Sequence, residues 1–266
     1  MSERLDVFML HSGLCDSRQK AQVLIKKGQV SVNGNIVLKN SFSVCENDNI
    51  QIIGEVCEFV SRGGLKLKKA LEVFSVDVTE KVCVDIGAST GGFTDCLLKH
   101  NAQFVYAVDV GHDQLDKKLL NDNRVKNMEG INIRDLSLEE FEKRPTFAVC
   151  DVSFISLRLV FPHINKILEE NSQAIVLVKP QFEAGREHIK KGGIVKDKKV
   201  HVSVINSVIS YCLENGFSAN ALDYSPITGK DGNVEYLLHL TLKKCPENFI
   251  KNVKSVVDEA FSKQNT

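Results

Sequence analysis

Four apolar, β-branched runs in this 266-residue chain each end in a charged residue. Val82-Cys-Val84 leads to Asp85, Phe104-Val-Tyr-Ala-Val108 to Asp109, Thr146-Phe-Ala-Val-Cys150 to Asp151, and Ala174-Ile-Val-Leu-Val178 to Lys179. Such runs are the pattern of buried strands. In a parallel sheet their carboxyl ends gather on one edge, which is where ligands bind. Three carboxylates and an amine on one edge can hold hydroxyl groups, pair charges and move a proton. The first run continues into Asp85-Ile-Gly87-Ala88-Ser89-Thr90-Gly91-Gly92-Phe93, with Leu97 and Leu98 following at helical spacing. A glycine-rich turn opening a helix lets backbone N–H groups approach a bound ligand.

That turn departs from the G-x-G-x-x-G pattern of a pyrophosphate site, because an acid stands ahead of its first glycine. An anion there is a poor neighbour for pyrophosphate. It suits a cofactor carrying positive charge, such as the amino group and sulfonium of S-adenosyl-L-methionine. The residues expected to hold it are Asp85 and Gly87 through Phe93. Asp109, with Val110 beside it, falls about twenty residues beyond the glycines, where an acid hydrogen-bonds ribose hydroxyls. Asn132 and Ile133, after the next strand, would flank the adenine. No metal is expected: the eight cysteines are scattered without a C-x-x-C pair, and several sit in apolar runs as buried thiols.

The elements that must position these residues can be traced along the chain. Helices are expected over 115–120, 138–141, 155–168 (with Pro162 tolerated near a first turn or kink) and 200–213, the last stopped by Asn215-Gly216. Strands are expected over 104–109, 125–129, 146–151, 174–179, 221–224 and 235–242, and a packing helix within 245–266. Strands alternating with helices predict an α/β domain with a mostly parallel, doubly wound sheet, here residues 61–266. Ahead of it, residues 1–54 have the pattern of a small α+β module. A short helix at Leu5–Leu10 breaks at Gly13, and a second, Arg18–Lys27, is capped by Asp16-Ser17 and closed by Gly28. A hairpin turns at Asn33-Gly34, and a strand at 51–53 completes the module. Residues 55–60 are expected to be a linker.

The small module carries Arg4-Leu5-Asp6, Ser17-Arg18, Ala21, Leu24-Ile25, Gly28, Val30, Val32-Asn33-Gly34 and Asp48 in an order that resembles the S4 RNA-binding domain. The resemblance implies binding of structured RNA, with Arg4, Ser17, Arg18 and Lys20 on its backbone. In the larger domain, Ser61-Arg62-x-x-x-Lys66, Cys150-Asp151-Val-Ser-Phe154, Val178-Lys179-Pro180-Gln-Phe-Glu183 and Gly232-Asn-Val-Glu235 resemble the settings of a Lys-Asp-Lys-Glu tetrad. That tetrad belongs to RNA ribose 2′-O-methyltransferases related to FtsJ. Almost end to end, the chain is similar to the hemolysin A (TlyA) family of ribosomal-RNA methyltransferases.

The family resemblance implies an S4-like domain followed by a Rossmann-like class I methyltransferase domain dependent on S-adenosyl-L-methionine. Its substrate would be cytidine ribose 2′-hydroxyls of large-subunit RNA, and in longer members also of the small subunit. Lys66, Asp151, Lys179 and Glu235 would be catalytic, and the Ser-Arg-x-x-x-Lys register selects Lys66 over Lys68 and Lys69. A ribose 2′-hydroxyl is a poor acid, so Lys179 would take its proton or stabilise its developing charge, aided by cationic neighbours that lower its pKa. Asp151 and Glu235 would hold the lysines, and Lys66 would orient the hydroxyl. Arg62 and the basic loop at Lys190-Lys191 would meet RNA phosphates. The partners are ribosomal RNA and ribosomal subunits, and the protein is expected to act as a monomer.

Composition sets outer limits. Hydrophobic content of 43% and charged content of 26% are ordinary for a soluble protein, and a net charge of zero assigns any RNA contact to local patches. The first six residues show no basic segment followed by an apolar one, and Ala174-Ile-Val-Leu-Val178 falls far short of the roughly 20 residues of a membrane span. A cytoplasmic location is expected, without a membrane partner. Two alternatives remain, a membrane-active hemolysin and a non-catalytic RNA-binding assembly factor. The missing export signal and span speak against the first, and the complete tetrad against the second.

Overall fold

The computed structural model describes residues 2–15, 17–53, 58–189, 192–229 and 231–263. Contacts divide the chain into residues 1–57 and residues 58–266. In the first unit, β1 (Ser2–Arg4) runs into α1 (Leu5–His11), and α2 (Arg18–Lys26) follows. The Ser17 side chain accepts the Lys20 N–H at 3.2 Å and so caps α2, while Gly28, at φ 68°, lets the chain leave it. Asp16, the other expected cap, lies outside the described residues. β2 (Val30–Val32) and β3 (Asn35–Ile36) form the hairpin, turning on Asn33 and Gly34 at φ 52° and 83°. β4 (Ser43–Cys45) pairs with β1, and β5 (Ile50–Ile52) pairs with β2, both antiparallel. Leu5, Met9, Ala21, Ile25, Val30 and Val44 form the core of this unit and are completely buried.

The second unit starts inside the segment assigned to the linker: Phe59 is buried and the Val60 N–H donates to Asp95. α3 (Gly63–Val73), β6 (Val82–Ile86), α4 (Gly92–Lys99), β7 (Phe104–Asp109), α5 (Lys117–Leu120) and β8 (Val125–Glu129) come first. β9 (Phe147–Cys150), α6 (Phe161–Ile167), β10 (Gln173–Val178), α7 (Pro180–Glu183), α8 (Lys198–Glu214), β11 (Phe217–Tyr224), β12 (Tyr236–Leu242) and α9 (Val253–Lys263) complete it. Among the described residues the sheet has seven strands in the order β11-β12-β10-β9-β6-β7-β8, and β12 runs against both of its neighbours. Val84, Tyr106, Ala148, Val176 and Leu238 face a core shared with α6, α8 and α9. Their neighbours along the strands, such as Cys83, Val105, Val149, Ile175 and Leu237, are equally buried. Burial on both faces is what the unbroken apolar runs require.

Several elements differ from expectation, among them the helix expected over 138–141, which is a 3₁₀ turn, Leu138–Glu140. The helix expected over 155–168 is a 3₁₀ turn, Leu157–Leu159, followed by the shorter α6. Pro162 stands in the first turn of α6, where its missing N–H is not needed. The Glu183 carboxylate accepts the Ser156 hydroxyl at 2.6 Å and the Leu157 N–H at 2.8 Å, fixing the turn. The strand expected at 221–224 begins earlier, at Phe217. Before α9, the chain pairs residue 248 with Ala219. No helix among the described residues is long and apolar enough to cross a membrane.

α3 and α4 cross at glycines. A Cβ at Gly92 would stand 2.3 Å from the Ser61 hydroxyl and 2.9 Å from the Gly64 backbone nitrogen. Gly92→Ala should therefore lower the stability of the second unit by about 1–3 kcal/mol, seen as an earlier urea midpoint. An unchanged midpoint would mean that the helices separate without cost.

Candidate active site

β10 and β12 set the geometry. Val178 pairs with Tyr236 across their antiparallel ladder, so the next residues outward, Lys179 and Glu235, emerge side by side. A reversed strand thus delivers its first residues to the edge where the parallel strands end. Asp151 follows β9 at the same edge, and Lys66 comes across from α3. Lys66 Nζ lies 2.6 Å from Glu235 Oε2 and 3.5 Å from Asp151 Oδ2. Lys179 Nζ lies 2.6 Å from Asp151 Oδ1 and donates to Ser153 Oγ at 2.9 Å. Glu235, Asp151 and the two lysines thus form one chain of alternating charge. Three of the four residues are buried, with 8% exposure at each lysine and 3% at Glu235. Burial opposes a charged Lys66, but the charges of Asp151 and Glu235 and their hydrogen bonds outweigh it and hold its pKa above the ordinary lysine value. Lys66 is therefore a cation, not a base.

These residues line a cavity of about 390 Å³ whose other wall is the glycine turn, with Gly87, Ala88, Ser89, Thr90, Gly92 and Phe93. That volume falls within the range of small-molecule sites. Gly87 has φ 84°, and a Cβ there would stand 2.7 Å from the Asp151 carbonyl oxygen, so only glycine allows this approach. Asp85 is fully buried; its Oδ2 accepts the Thr94 hydroxyl at 2.7 Å, and its Oδ1 has no hydrogen-bond partner among the described residues. An unsatisfied buried carboxylate oxygen next to a bare backbone turn fits a ligand with a cationic head. Burial pushes Asp85 up to about 7; the hydrogen bond from Thr94 opposes this and the charge of Asp151 adds to it. At the end of β7, Asp109 accepts the Ser89 N–H at 2.8 Å and the Gly111 N–H at 2.7 Å. A carboxylate has lone pairs to spare for ribose hydroxyls after two such bonds.

Not every expected residue reaches the cavity. Asp85, Gly91, Asp109, Val110, Asn132 and Ile133 are not on its wall, Asp85 because it is fully buried beneath the turn. Gly91 heads α4 at φ 88°, Val110 is 65% exposed, Asn132 caps a 3₁₀ turn through the Arg134 N–H, and Ile133 packs in the main core. Arg62 does line the cavity. Lys191 and its neighbour Lys190 lie outside the described residues; farther along the same basic segment, Lys198 pairs with Asp258 at 2.8 Å.

In the first unit, Arg4 and Arg18 share one buried acid. Asp6 accepts Arg4 Nε at 2.9 Å and Nη2 at 3.1 Å, Arg18 Nε at 3.0 Å and Gln22 Nε2 at 2.8 Å. The hydrogen bonds from Arg4, seconded by Gln22 and Arg18, outweigh burial and hold the Asp6 carboxyl well below the usual range. Both arginine side chains remain about half exposed, at 48% and 50%. Ser17 and Lys20 are joined through the helix cap already described, and both are exposed.

Sequence reasoning passed over Ser153, Phe154, Gln181 and Phe182, which all line the cavity. The Phe154 ring is 91% exposed, its backbone has φ 63°, and its ring centroid is 5.0 Å from that of Phe182. Ser153 and Phe154 follow Asp151 closely, and Gln181 and Phe182 follow Lys179, so proximity to the strand ends was the signal available. Thr94 and Asp6 gave no such signal, since each matters through one hydrogen-bonded partner.

Comparison with known proteins identifies the two domains and the family. Residues 59–242 match the model of the FtsJ-like methyltransferase family, and residues 3–50 that of the S4 domain. The chain is 48% identical over 239 residues to "Putative rRNA methyltransferase YqxC" of Bacillus subtilis, covering 90% of this chain and 85% of that one. It is 36% identical over 260 residues to the 16S/23S rRNA (cytidine-2′-O)-methyltransferase TlyA of Mycobacterium tuberculosis, covering 97% of both. A solved structure described as "Putative hemolysin from Streptococcus thermophilus" superposes with a TM-score of 0.81 at 44% identity, covering 99% of this chain and 98% of that one.

The buried acid under the turn gives a pH test. With a folded value near 7 against about 3.8 for a free carboxyl, the native state holds the extra proton, so ionising Asp85 costs stability progressively as pH rises from about 4 to 7. Asp85→Asn should leave the melting temperature nearly unchanged at pH 4, raise it already at pH 5 and raise it by several degrees at pH 8, for a gain of up to about 4 kcal/mol. A difference between the two proteins that does not vary with pH would refute this account.

Proposed function

We propose, because this chain belongs to the TlyA family of FtsJ-like methyltransferases, that it methylates cytidine ribose 2′-hydroxyls in ribosomal RNA. The observation that carries the reading is the chain of alternating charge Glu235–Lys66–Asp151–Lys179, set across one cavity from the glycine turn. S-adenosyl-L-methionine, when bound, supplies an electrophilic methyl group on a positively charged sulfur. Gly87 to Phe93 would hold it, with Asp85 beneath the turn for its cationic head and Asp109 for its ribose.

The rest of the chemistry falls to side chains. Lys179 meets the 2′-oxygen as an ammonium fixed by Ser153 and Asp151 and stabilises the negative charge that develops there, while the hydroxyl proton leaves to solvent. Lys66, held cationic by Glu235 and Asp151, orients the hydroxyl and stabilises negative charge growing on it. Holding the groups in place supplies a large part of the rate. The exposed ring of Phe154, backed by Phe182, offers a flat surface for a base turned out of its helix. Arg62 at the cavity wall, and Arg4, Arg18, Ser17 and Lys20 on the S4 domain, contact RNA backbone. The relatives named for ribosomal RNA support ribosomal subunits as partners. Such a protein works as a monomer in the cytoplasm, where ribosomes are.

Lys179→Ala should reduce transfer of labelled methyl to ribosomal subunits by roughly 10²–10⁴-fold, with methyl-donor affinity unchanged within a few-fold. Equal labelling by both proteins would remove Lys179 from the mechanism. Arg4→Gln with Arg18→Gln should weaken RNA binding without affecting the donor. The pair should also flatten the salt dependence of log K by about 1 for each phosphate no longer neutralised. An unaltered slope would assign these arginines to Asp6 alone.

A further inference from the structure

Gln181, the second residue of α7, stands two positions after Lys179 and on the same cavity wall. Its Nε2 donates to Glu235 Oε1 across 3.4 Å, and its Oε1 is buried without a hydrogen-bond partner among the described residues. A glutamine amide can usually turn over and offer either end to a ligand. Here Glu235 decides the direction. Its other oxygen is 2.6 Å from the Lys66 ammonium, and a carboxylate so paired accepts a hydrogen bond and cannot give one. The amide nitrogen is therefore held toward Glu235, and the carbonyl oxygen is left as a fixed acceptor beside the tetrad. A buried carbonyl with no donor is costly unless a ligand brings one.

We propose that Gln181 Oε1 receives the exocyclic amino group of the target cytosine and thereby selects cytidine over uridine. The inference rests on the reading of this cavity as a cytidine 2′-O-methylation site and adds the residue that recognises the base. Cytosine carries an amino donor at C4, whereas uracil carries a carbonyl acceptor there. Against a pinned acceptor, uracil sets two oxygens facing each other and leaves both unsatisfied. An amide free to turn would accommodate either pyrimidine; one tied to Glu235 does not. Gln181 is thus a specificity residue that also steadies Glu235, and the two roles can be separated.

The test uses ribosomal subunits carrying either cytidine or uridine at the position that the wild-type protein methylates. Transfer is followed under single turnover with enzyme in excess, so that a slow variant still yields a rate. Wild type should favour cytidine by about 10- to 100-fold, the range of one well-placed base contact. Gln181→Met keeps the length of the side chain and removes the acceptor. It should bring that ratio to within a few-fold by slowing cytidine while leaving uridine nearly unchanged, with methyl-donor affinity intact. A variant that slows both nucleotides by one factor and keeps the ratio would overturn the inference and leave Gln181 as a support for Glu235. A variant that binds the donor yet methylates neither would do the same. Absence of 2′-O-methylcytidine with the wild-type protein would overturn the functional reading itself, and the inference with it.

Discussion

Two lysines and two carboxylates pressed together at the sheet edge set a condition that the rest of the second unit has to meet. Removing any one of them leaves an unbalanced charge in a site largely closed to water, which costs far more than the same change on the surface. The four come from four separate parts of the chain: α3, the end of β9, the end of β10 and the start of β12. Parallel strands alone could not supply Glu235, because the residue that begins such a strand lies at the opposite edge. Reversing β12 solves this, and the Val178–Tyr236 register then sets Glu235 next to Lys179. Lys66 imposes a second condition, since α3 must come close enough to α4 for a lysine to reach across. Gly92, where a Cβ would press on the Gly64 nitrogen and Gly63, makes that approach possible.

The sheet and the edge where its charged residues gather were readable in the sequence because the signals are local and repeated. Each parallel strand is an apolar run with a polar stop, and the turn after β6 announces itself through its glycines. The choice among Lys66, Lys68 and Lys69 was harder, since all three share one basic helix. Contacts supply the reason for the answer. Lys68 pairs with Glu58 at 2.6 Å, and Lys69 is tied to Asp223 at 3.0 Å and lies over the Tyr224 ring, so each is engaged away from the tetrad. Less legible were β1 and β4, three residues each, whose pairing depends on a partner about forty positions away. A single residue whose importance lies in one partner, as with Thr94 under Asp85 or Gln22 on Asp6, leaves no periodic trace at all.

The first unit handles charge differently. Its arginines stay half open to water, and the acid that orders them is the buried member. Sharing Asp6 aligns two guanidinium groups before any phosphate arrives, so less side-chain freedom is lost on binding. In the tetrad, by contrast, the cations themselves are buried and the groups are matched one to one. A surface that must accept a long polyanion can leave its cations exposed; a cavity that must act on one hydroxyl cannot.

Phe154 brings the needs of folding and of substrate into opposition. A bulky side chain at φ 63° holds a backbone shape better suited to glycine or asparagine, and its 91% exposed ring recovers little by burial. Directed evolution of this chain for heat resistance alone would meet an easy gain at that position, and an Asn or Gly there would fold more readily. On the proposed reading, variants chosen only by melting temperature would lose the surface offered to the base before any charged residue of the site had changed.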